Sequence, residues 1–230
     1  PAKSSVDAAA TLLARCGVTT VVAYFPQWHV DVENSLVHGE NWTEWRNMRD
    51  RTTPSRPMAY DPWAHHPILH PLRGEYNIRD RGHTLRAQAA EARRAGISAF
   101  CIYHYYWGYG KNALARPIEE AVLGGGSLGI DFFFSWDAHP WEERWSVARS
   151  ETFGSANLTR TKRTFMERRY GGPQSWDAHF EYLLPFFKHD EYVKIDGKPV
   201  FMFYDMKDFV IALAAEVSPN PHCTEGQSVK

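Results

Sequence analysis

Residues 97–107 read Ile-Ser-Ala-Phe-Cys-Ile-Tyr-His-Tyr-Tyr-Trp, an apolar run that passes directly into aromatic rings and a histidine. A strand that only fills a protein core is expected to end in turn formers such as Gly, Asn or Asp. Large amphipathic rings are costly to expose, but they suit a site that stacks on flat sugars and hydrogen-bonds them. The stretch therefore predicts a buried strand whose end carries a functional site.

Two other segments repeat this pattern. Residues 18–25 are apolar and are followed by Pro26-Gln27-Trp28-His29. Residues 130–134 are apolar except for Asp131 and are followed by Ser135-Trp136-Asp137-Ala138-His139-Pro140-Trp141. Three successive strands are therefore expected to end in aromatic, histidine or carboxylate side chains.

The segments between these strands predict helices. We expect helices over residues 80–94, from Pro117 onward, and from a cap at Ser175. A fourth strand is expected at residues 199–204, after a tight turn at Asp196-Gly197. Alternating strands and helices predict a parallel sheet with right-handed crossovers, either an open doubly wound sheet or a (β/α)₈ barrel.

The aromatic, histidine and carboxylate residues at three strand ends favour the barrel. The sites of barrels use residues from many strand ends, whereas an open sheet has its site at one switch point. Only four strong strand candidates are found and a closed barrel needs eight. The expected fold is therefore α/β, of the (β/α)₈ TIM-barrel type, with this chain as its N-terminal half. We expect an N-terminal helix or extension over 1–17, a partial barrel over 18–205, and a helix with a disordered tail over 206–230. Exposed edges of such a half barrel predict self-association.

The composition excludes several classes of partner. Among 230 residues, 26 Lys and Arg nearly balance 27 Asp and Glu, so no global charge favours nucleic acid. No stretch is long and apolar enough to predict a membrane span. Three widely spaced cysteines predict neither a disulfide framework nor a metal site. The cellular location stays open.

No cofactor or metal ion is predicted. Gly124-x-Gly126-x-x-Gly129 matches a dinucleotide fingerprint as a string, but it precedes a strand instead of linking a strand to a helix. His65-His66 and His70 lie in a proline-rich loop without the spacing that would make metal ligands converge.

The candidate binding residues lie at or near the strand ends. Glu44, between Trp42 and Trp45, could bind a sugar hydroxyl, or it could pair with Arg46 or Arg49. Asp137 could bind hydroxyls or act as an acid or base, or it could cap a turn; His104 could equally be a packed core residue. The residues predicted to bind substrate are Tyr24, Gln27, Trp28, His29, Glu44, Trp45, His104, Tyr105, Trp107, Trp136, Asp137 and His139.

Five ordered motifs carry a family resemblance. They are Ala23-Tyr24-Phe25-Pro26-Gln27-Trp28-His29, Thr43-Glu44-Trp45, Cys101-Ile102-Tyr103-His104-Tyr105-Tyr106-Trp107, Leu183-Leu184-Pro185-Phe186-Phe187 and Asp196-Gly197-Lys198-Pro199-Val200-Phe201. In this order they resemble the WbsX-type domain, a glycan-active group similar to glycoside hydrolase family 99. The resemblance implies a (β/α)₈ barrel that acts on polysaccharides, as a hydrolase or as a glycosyltransferase in surface-glycan synthesis. The implied partner is a glycan, nucleotide-sugar or polysaccharide substrate.

The chain departs from the family pattern at two places. Family members usually carry Trp-Ala-Asn-Glu-Asn-Trp where residues 136–141 read Trp-Asp-Ala-His-Pro-Trp, so His139 occupies the carboxylate position. The family's late Asn-Glu-Trp-x-Glu-Gly segment, which holds its catalytic pair, has no counterpart here. No catalytic residue is therefore assigned. We expect a carbohydrate-active protein whose chain supplies the sugar-binding half; the alternative is a non-catalytic or vestigial carbohydrate-binding protein.

Overall fold

The computed structural model describes residues 12–13, 15–46, 74–142, 164–167 and 170–217. Five helices are described: α1 (Val32–His38), α2 (His83–Arg94), α3 (Arg116–Val122), α4 (Pro173–Phe187) and α5 (Met206–Val217). The strands of the main sheet are β1 (Val21–Tyr24), β2 (Ala99–Tyr106), β3 (Asn112–Ala113), β4 (Asp131–Asp137) and β9 (Phe201–Phe203). Two small hairpins are formed by β5 (Trp141–Glu142) with β6 (Thr164–Met166), and by β7 (Lys194–Ile195) with β8 (Lys198–Pro199).

Four parallel strands in the order β1-β2-β4-β9 form the centre of the fold. Ala99 of β2 lies opposite both Val21 and Asp131, and Phe134 of β4 lies opposite Phe201. The short strand β3 adds an antiparallel pair to the end of β2. The predicted α/β fold with a parallel sheet is confirmed, and so are the four predicted strands. Among the described residues, β1 and β9 are the edges of this sheet.

One face of the sheet packs on α2, α3 and α4. Leu85 of α2, Ile118 of α3 and Phe186 of α4 share one buried cluster with Phe132 and Phe134 of β4. Alternate side chains of a strand point to opposite faces, so these phenylalanines, two residues apart, share a side. Burial of this cluster supplies most of the apolar stabilisation of the described fold.

Within the described residues, the other face of the sheet is exposed along its edge strands β1 and β9, whereas side chains at its centre such as Cys101 and Ser135 are buried. Val21 is 44% exposed, Phe25 is 40% exposed and Met202 is 41% exposed. These side chains alternate with neighbours that face the helices. One face of the sheet is therefore covered by helices, and the other, which we call the open face, is exposed along its two edge strands.

Local turn chemistry explains where several elements begin. The carboxylate of Asp80 accepts hydrogen bonds from the backbone and hydroxyl of Thr84, next to the start of α2. The predicted tight turn between β7 and β8 is confirmed, with Asp196 and Gly197 both at positive φ. The predicted Ser175 cap is wrong, because α4 begins at Pro173 and the Ser175 hydroxyl instead accepts from the backbone N–H of Tyr109 at 2.9 Å.

The helix α1 lies in a stretch that shows no clean periodicity in sequence. Asp31 caps it by accepting from the backbone N–H groups of Glu33 and Asn34 through Oδ1. The other oxygen of this buried carboxylate accepts from the N–H of Leu114 at 3.0 Å, which ties the loop after β1 to the segment after β3. A short polar cap of this kind stabilises a helix without a strong apolar stripe.

Some predicted features lie outside the described residues. These are the histidine loop with His65, His66 and His70, most of the predicted first helix, and the tail after residue 217. Among the helices that are described, none combines the length and apolar character needed to cross a membrane.

Replacing Phe132 by Ala is expected to destabilise the fold by about 3–5 kcal/mol, since its fully buried ring leaves a cavity between the sheet and helices. Denaturant unfolding followed by circular dichroism measures this loss. The control is Phe180→Ala, which truncates a ring that is 53% exposed on α4 and should cost less than about 1 kcal/mol. Equal losses in the two variants would contradict the described core.

Candidate functional site

The carboxyl ends of the parallel strands meet at one edge of the sheet. Tyr105 of β2 lies directly opposite Asp137 of β4. At the next strand, the backbone N–H of Tyr204 donates to the carbonyl of Trp136 at 2.9 Å, which continues the ladder just beyond β9. Tyr204 and Asp205 are therefore held at the same edge as Asp137.

A row of aromatic rings crosses the open face at this edge. The ring of Tyr103 lies 5.9 Å from Phe25, 6.3 Å from Tyr105 and 5.7 Å from Tyr204, between centroids. The four rings come from β1, β2 and β9 or the residues next to them. Tyr204 is 51% exposed, so the row includes a ring surface on which a ligand can stack.

Two carboxylates and a histidine lie beside this row. His139 donates to Asp137 Oδ1 from its backbone N and from its Nδ1, each at 2.8 Å. On the other side of the ring, His139 Nε2 lies 3.7 Å from Asp205 Oδ2. The ring of Tyr204 contacts the ring of His139 edge-on at 5.1 Å. We call Asp137, His139 and Asp205 the acid–histidine cluster.

The neighbouring tyrosines keep their hydroxyl protons at neutral pH. Burial raises the pKa of Tyr103, and the nearby Tyr204 and Asp137 raise it further. Burial also raises the pKa of Tyr105 strongly, with Asp137 as the next cause. At this site, tyrosine hydroxyls that can donate hydrogen bonds therefore lie next to carboxylates that accept them. This combination suits recognition of a polyhydroxylated ligand.

Two tryptophans form a wall beside the acid–histidine cluster. The ring of Trp141 packs on Tyr105 and Trp107, at 5.4 and 5.1 Å between centroids. The indole N–H of Trp107 donates to the carbonyl of His139 at 3.2 Å. The wall fixes the backbone that carries His139.

The predicted binding residues divide into three groups. Four of them, Tyr105, Trp107, Asp137 and His139, lie together at the open-face edge. The sequence reasoning missed Phe25, Tyr103, Tyr204 and Asp205, which also lie there. The strand-end argument could have found the last two, because Tyr204 ends the fourth predicted strand and Asp205 follows it.

A second group faces the helices instead. Tyr24 stacks on Phe100 and donates its hydroxyl to Gln88 of α2 at 2.7 Å. Trp136 is 4% exposed, and its indole N–H donates to the carbonyl of Tyr106. Their side chains pack within the described core, on the side away from the aromatic row.

His104 belongs to this second group and forms a buried pair. Its Nε2 lies 2.8 Å from Nε2 of His179 on α4, and Tyr106 stacks on His179 at 3.9 Å. Burial lowers the pKa of His179 to about 3 and holds the pKa of His104 well below its usual range. Both rings are therefore neutral at pH 7, and one ring donates a hydrogen bond to the other.

A third group lies in the loop after β1 and the segment around Trp45. The rings of Trp28 and Trp45 are 4.3 Å apart, and Trp45 donates its indole N–H to the carbonyl of Tyr76. His29 is fully buried beside the loop backbone at Pro26, and burial lowers its pKa to about 4. Gln27 and Glu44 are partly exposed, and they are the neighbours of Trp28 and Trp45 in the sequence.

The glycine-rich loop before β4 offers its backbone donors to a carboxylate of the chain itself. Glu191 accepts from the N–H groups of Leu128 and Gly129 at 2.7 and 2.9 Å, and from the Ser127 hydroxyl. This loop is thus held by an internal anion. Over the described ranges, no group of three or more His, Cys, Asp or Glu residues is arranged to hold a metal ion.

The described fold and site define a parallel α/β protein with an aromatic and acidic strand-end face. The chain belongs to the WbsX glycosyltransferase family, whose family model matches residues 20–216. This is a family of carbohydrate-active proteins, and the family resemblance seen in the sequence motifs is confirmed.

Named relatives of this chain are longer than the chain itself. A protein named WxcX, described as uncharacterized, from two strains of Xanthomonas campestris pv. campestris is 34% identical over 127 residues. That alignment covers 55% of this chain and 17% of WxcX, so the chain spans less than a fifth of these relatives.

Two solved structures of a GH99 endo-α-mannosidase from Bacteroides thetaiotaomicron are also similar. They are 18% and 16% identical, with a TM-score of 0.36 for each. The similarity covers 81% of this chain and 42% and 45% of the two mannosidase chains.

Acidification is expected to destabilise the protein through the His104–His179 pair. The folded-state pKa values are lowered, so the unfolded chain binds more protons once the pH falls below an ordinary histidine pKa of about 6.5. Each such histidine then costs about 1.4 kcal/mol of folding free energy per pH unit. Chemical unfolding at pH 7.5, 6.5, 5.5 and 4.5 measures the slope.

Two variants separate the pair from other titrating groups. His179→Phe keeps a ring against Tyr106 and should flatten the dependence on pH by up to about 1.4 kcal/mol per unit. His83→Gln changes an exposed histidine at the start of α2 and should leave the slope as in the wild type. The same slope in all three proteins would be inconsistent with a buried neutral pair.

Proposed function

We propose that this chain binds a glycan at the carboxyl edge of its open sheet face and serves glycosyl transfer or hydrolysis. The observation that carries the proposal is the aromatic row of Phe25, Tyr103, Tyr105 and Tyr204 beside the acid–histidine cluster. Membership of the WbsX family supports the same substrate class.

The chemistry of the edge fits a sugar. The apolar C–H face of a sugar ring can stack on the exposed ring of Tyr204, while its hydroxyls meet acceptors at Asp137 and Asp205. Protonated tyrosine hydroxyls complete the set of donors. A nucleic acid would instead require a basic surface, and the charges of this chain balance.

We propose further that the four strands are one side of a (β/α)₈-type barrel and that this chain supplies the sugar-binding half of a longer cleft. The helices α2, α3 and α4 pack on one face of the sheet, as the helices of a barrel do. The candidate residues also lie at the carboxyl ends of several strands, which is the catalytic face of such barrels.

The second candidate function is glycan binding without catalysis. It is favoured by His139, which stands at the position of a family carboxylate. Binding with no product formed from nucleotide sugars or polysaccharides would select this alternative.

An array of bacterial surface polysaccharides tests the proposal. Wild-type protein should bind at least one polysaccharide, and Tyr204→Ala should weaken that binding about tenfold because the stacking surface is removed. The matched control is Phe180→Ala, whose exposed ring lies on α4 away from the strand ends. No binding to any polysaccharide, or equal binding by both variants, would refute the site.

Self-association through the open sheet is a separate proposal about partners. Val21 is exposed on the edge strand β1, and edge strands offer unpaired backbone groups to other chains. Sedimentation velocity should show dimers or larger species, and Val21→Lys should shift them toward the monomer. Leu36→Lys, on the exposed side of α1, is the control that should change nothing. A monomer at all concentrations would contradict the proposal.

A further inference from the structure

The acid–histidine cluster holds its imidazole in one defined form. Asp137 Oδ1 can only accept when the carboxylate is ionised, so the 2.8 Å contact requires the hydrogen to be on His139 Nδ1. In the neutral ring, Nε2 is then the acceptor. The backbone N–H of His139 donates to the same oxygen, which fixes the ring close to its own main chain.

Asp205 presents one free oxygen to this acceptor. Its Oδ1 accepts from the backbone N–H of Asp208 at 3.1 Å and so stabilises the start of α5. Its Oδ2 faces His139 Nε2 at 3.7 Å, which is longer than a hydrogen bond. Across the described part of the chain, neither Nε2 nor Oδ2 has a hydrogen-bond donor.

Two acceptors at this separation match a particular ligand feature. Neighbouring hydroxyl groups on a sugar ring lie at a comparable spacing, and each can donate one hydrogen bond. One hydroxyl would donate to Nε2 of His139 and the next to Oδ2 of Asp205. The ring of Tyr204 lies beside both acceptors, 5.1 Å from the imidazole, where the sugar's apolar face can stack.

We propose that His139 Nε2 and Asp205 Oδ2 form a two-point acceptor for a vicinal diol of a sugar, and that Asp137 is the positioning residue that holds the required tautomer. This proposal rests on the proposed function and names the side chains that would recognise the sugar. A sugar unit that lacks two adjacent free hydroxyls forms only one of the two hydrogen bonds and is therefore bound more weakly.

The same geometry makes binding depend on the protonation of His139. A protonated imidazole carries a hydrogen on Nε2. That hydrogen would form an ion pair with Asp205 Oδ2, so neither atom could then accept a hydrogen bond from a sugar hydroxyl. The titratable groups that face the ring are Asp137 on β4, Asp205 between β9 and α5, Tyr204 after β9, and Tyr103 and Tyr105 on β2. Burial raises the pKa of Tyr103 and of Tyr105, so these two hydroxyls stay neutral at pH 7.

The test compares one polysaccharide in two chemical forms. The probe is the strongest-binding bacterial surface polysaccharide from the array, used intact and after periodate oxidation with borohydride reduction, which destroys vicinal diols. Binding is measured by biolayer interferometry. We expect oxidation to weaken binding by wild-type protein at least tenfold.

Asp205→Asn is the decisive variant. Asparagine caps a helix as well as aspartate does, so the start of α5 is preserved. Its amide then places a donor toward His139 where an acceptor stood, and binding of the intact polysaccharide should fall at least tenfold. Asp196→Asn, in the exposed turn between β7 and β8, makes the same chemical change away from the site and should bind as the wild type does.

Nitrogen-15 NMR of the histidines reports which ring nitrogen of His139 carries the hydrogen. A purely structural role of Asp137 would not change this tautomer. His139 should show the Nδ1–H tautomer, and Asp137→Ala should redistribute it. If Asp205→Asn or periodate oxidation changes binding less than twofold while Tyr204→Ala still weakens it about tenfold, the glycan site stands and the diol proposal fails. If nothing binds, the proposed function fails first.

Discussion

The parallel pairing of β2 with β1 and β4 is the constraint on which the rest of the structure depends. Because successive side chains alternate, this register sends Phe100, Ile102 and His104 to the helices and sends Tyr103 and Tyr105 to the open face. A shift by one residue would exchange the two sets. The core and the candidate site are therefore fixed by the same hydrogen-bond ladder.

This alternation explains which predictions from sequence were reliable. The strands, the parallel sheet and the gathering of their ends follow from apolar runs, turn residues and the order of elements. The sequence also placed Asp137 and His139 at the edge where they lie. It could not assign faces, because an unbroken aromatic run such as residues 103–107 gives no polar alternation from which to choose an inward side.

Trp136 and His104 illustrate the physical reason for the difference. Each lies near the end of a buried strand and looks like a ligand-binding side chain in sequence. Each instead finds its polar partner inside the fold: the carbonyl of Tyr106 for the indole, and the imidazole of His179 for His104. Such partners are distant along the chain, by 30 and 75 residues, and no local pattern predicts them.

The two faces are linked at β4, where Trp136 and Asp137 are consecutive. Trp136 anchors the strand end in the core through Tyr106, Tyr170 and Phe209, so the backbone that carries Asp137 has little freedom. Asp137 in turn fixes His139 through two hydrogen bonds. Preorganisation of a binding edge lowers the entropy lost on binding, and here it comes from buried aromatic packing directly behind the acceptors. The aromatic residues of the strand ends thus serve recognition in two ways, as a surface on one side and as a support on the other.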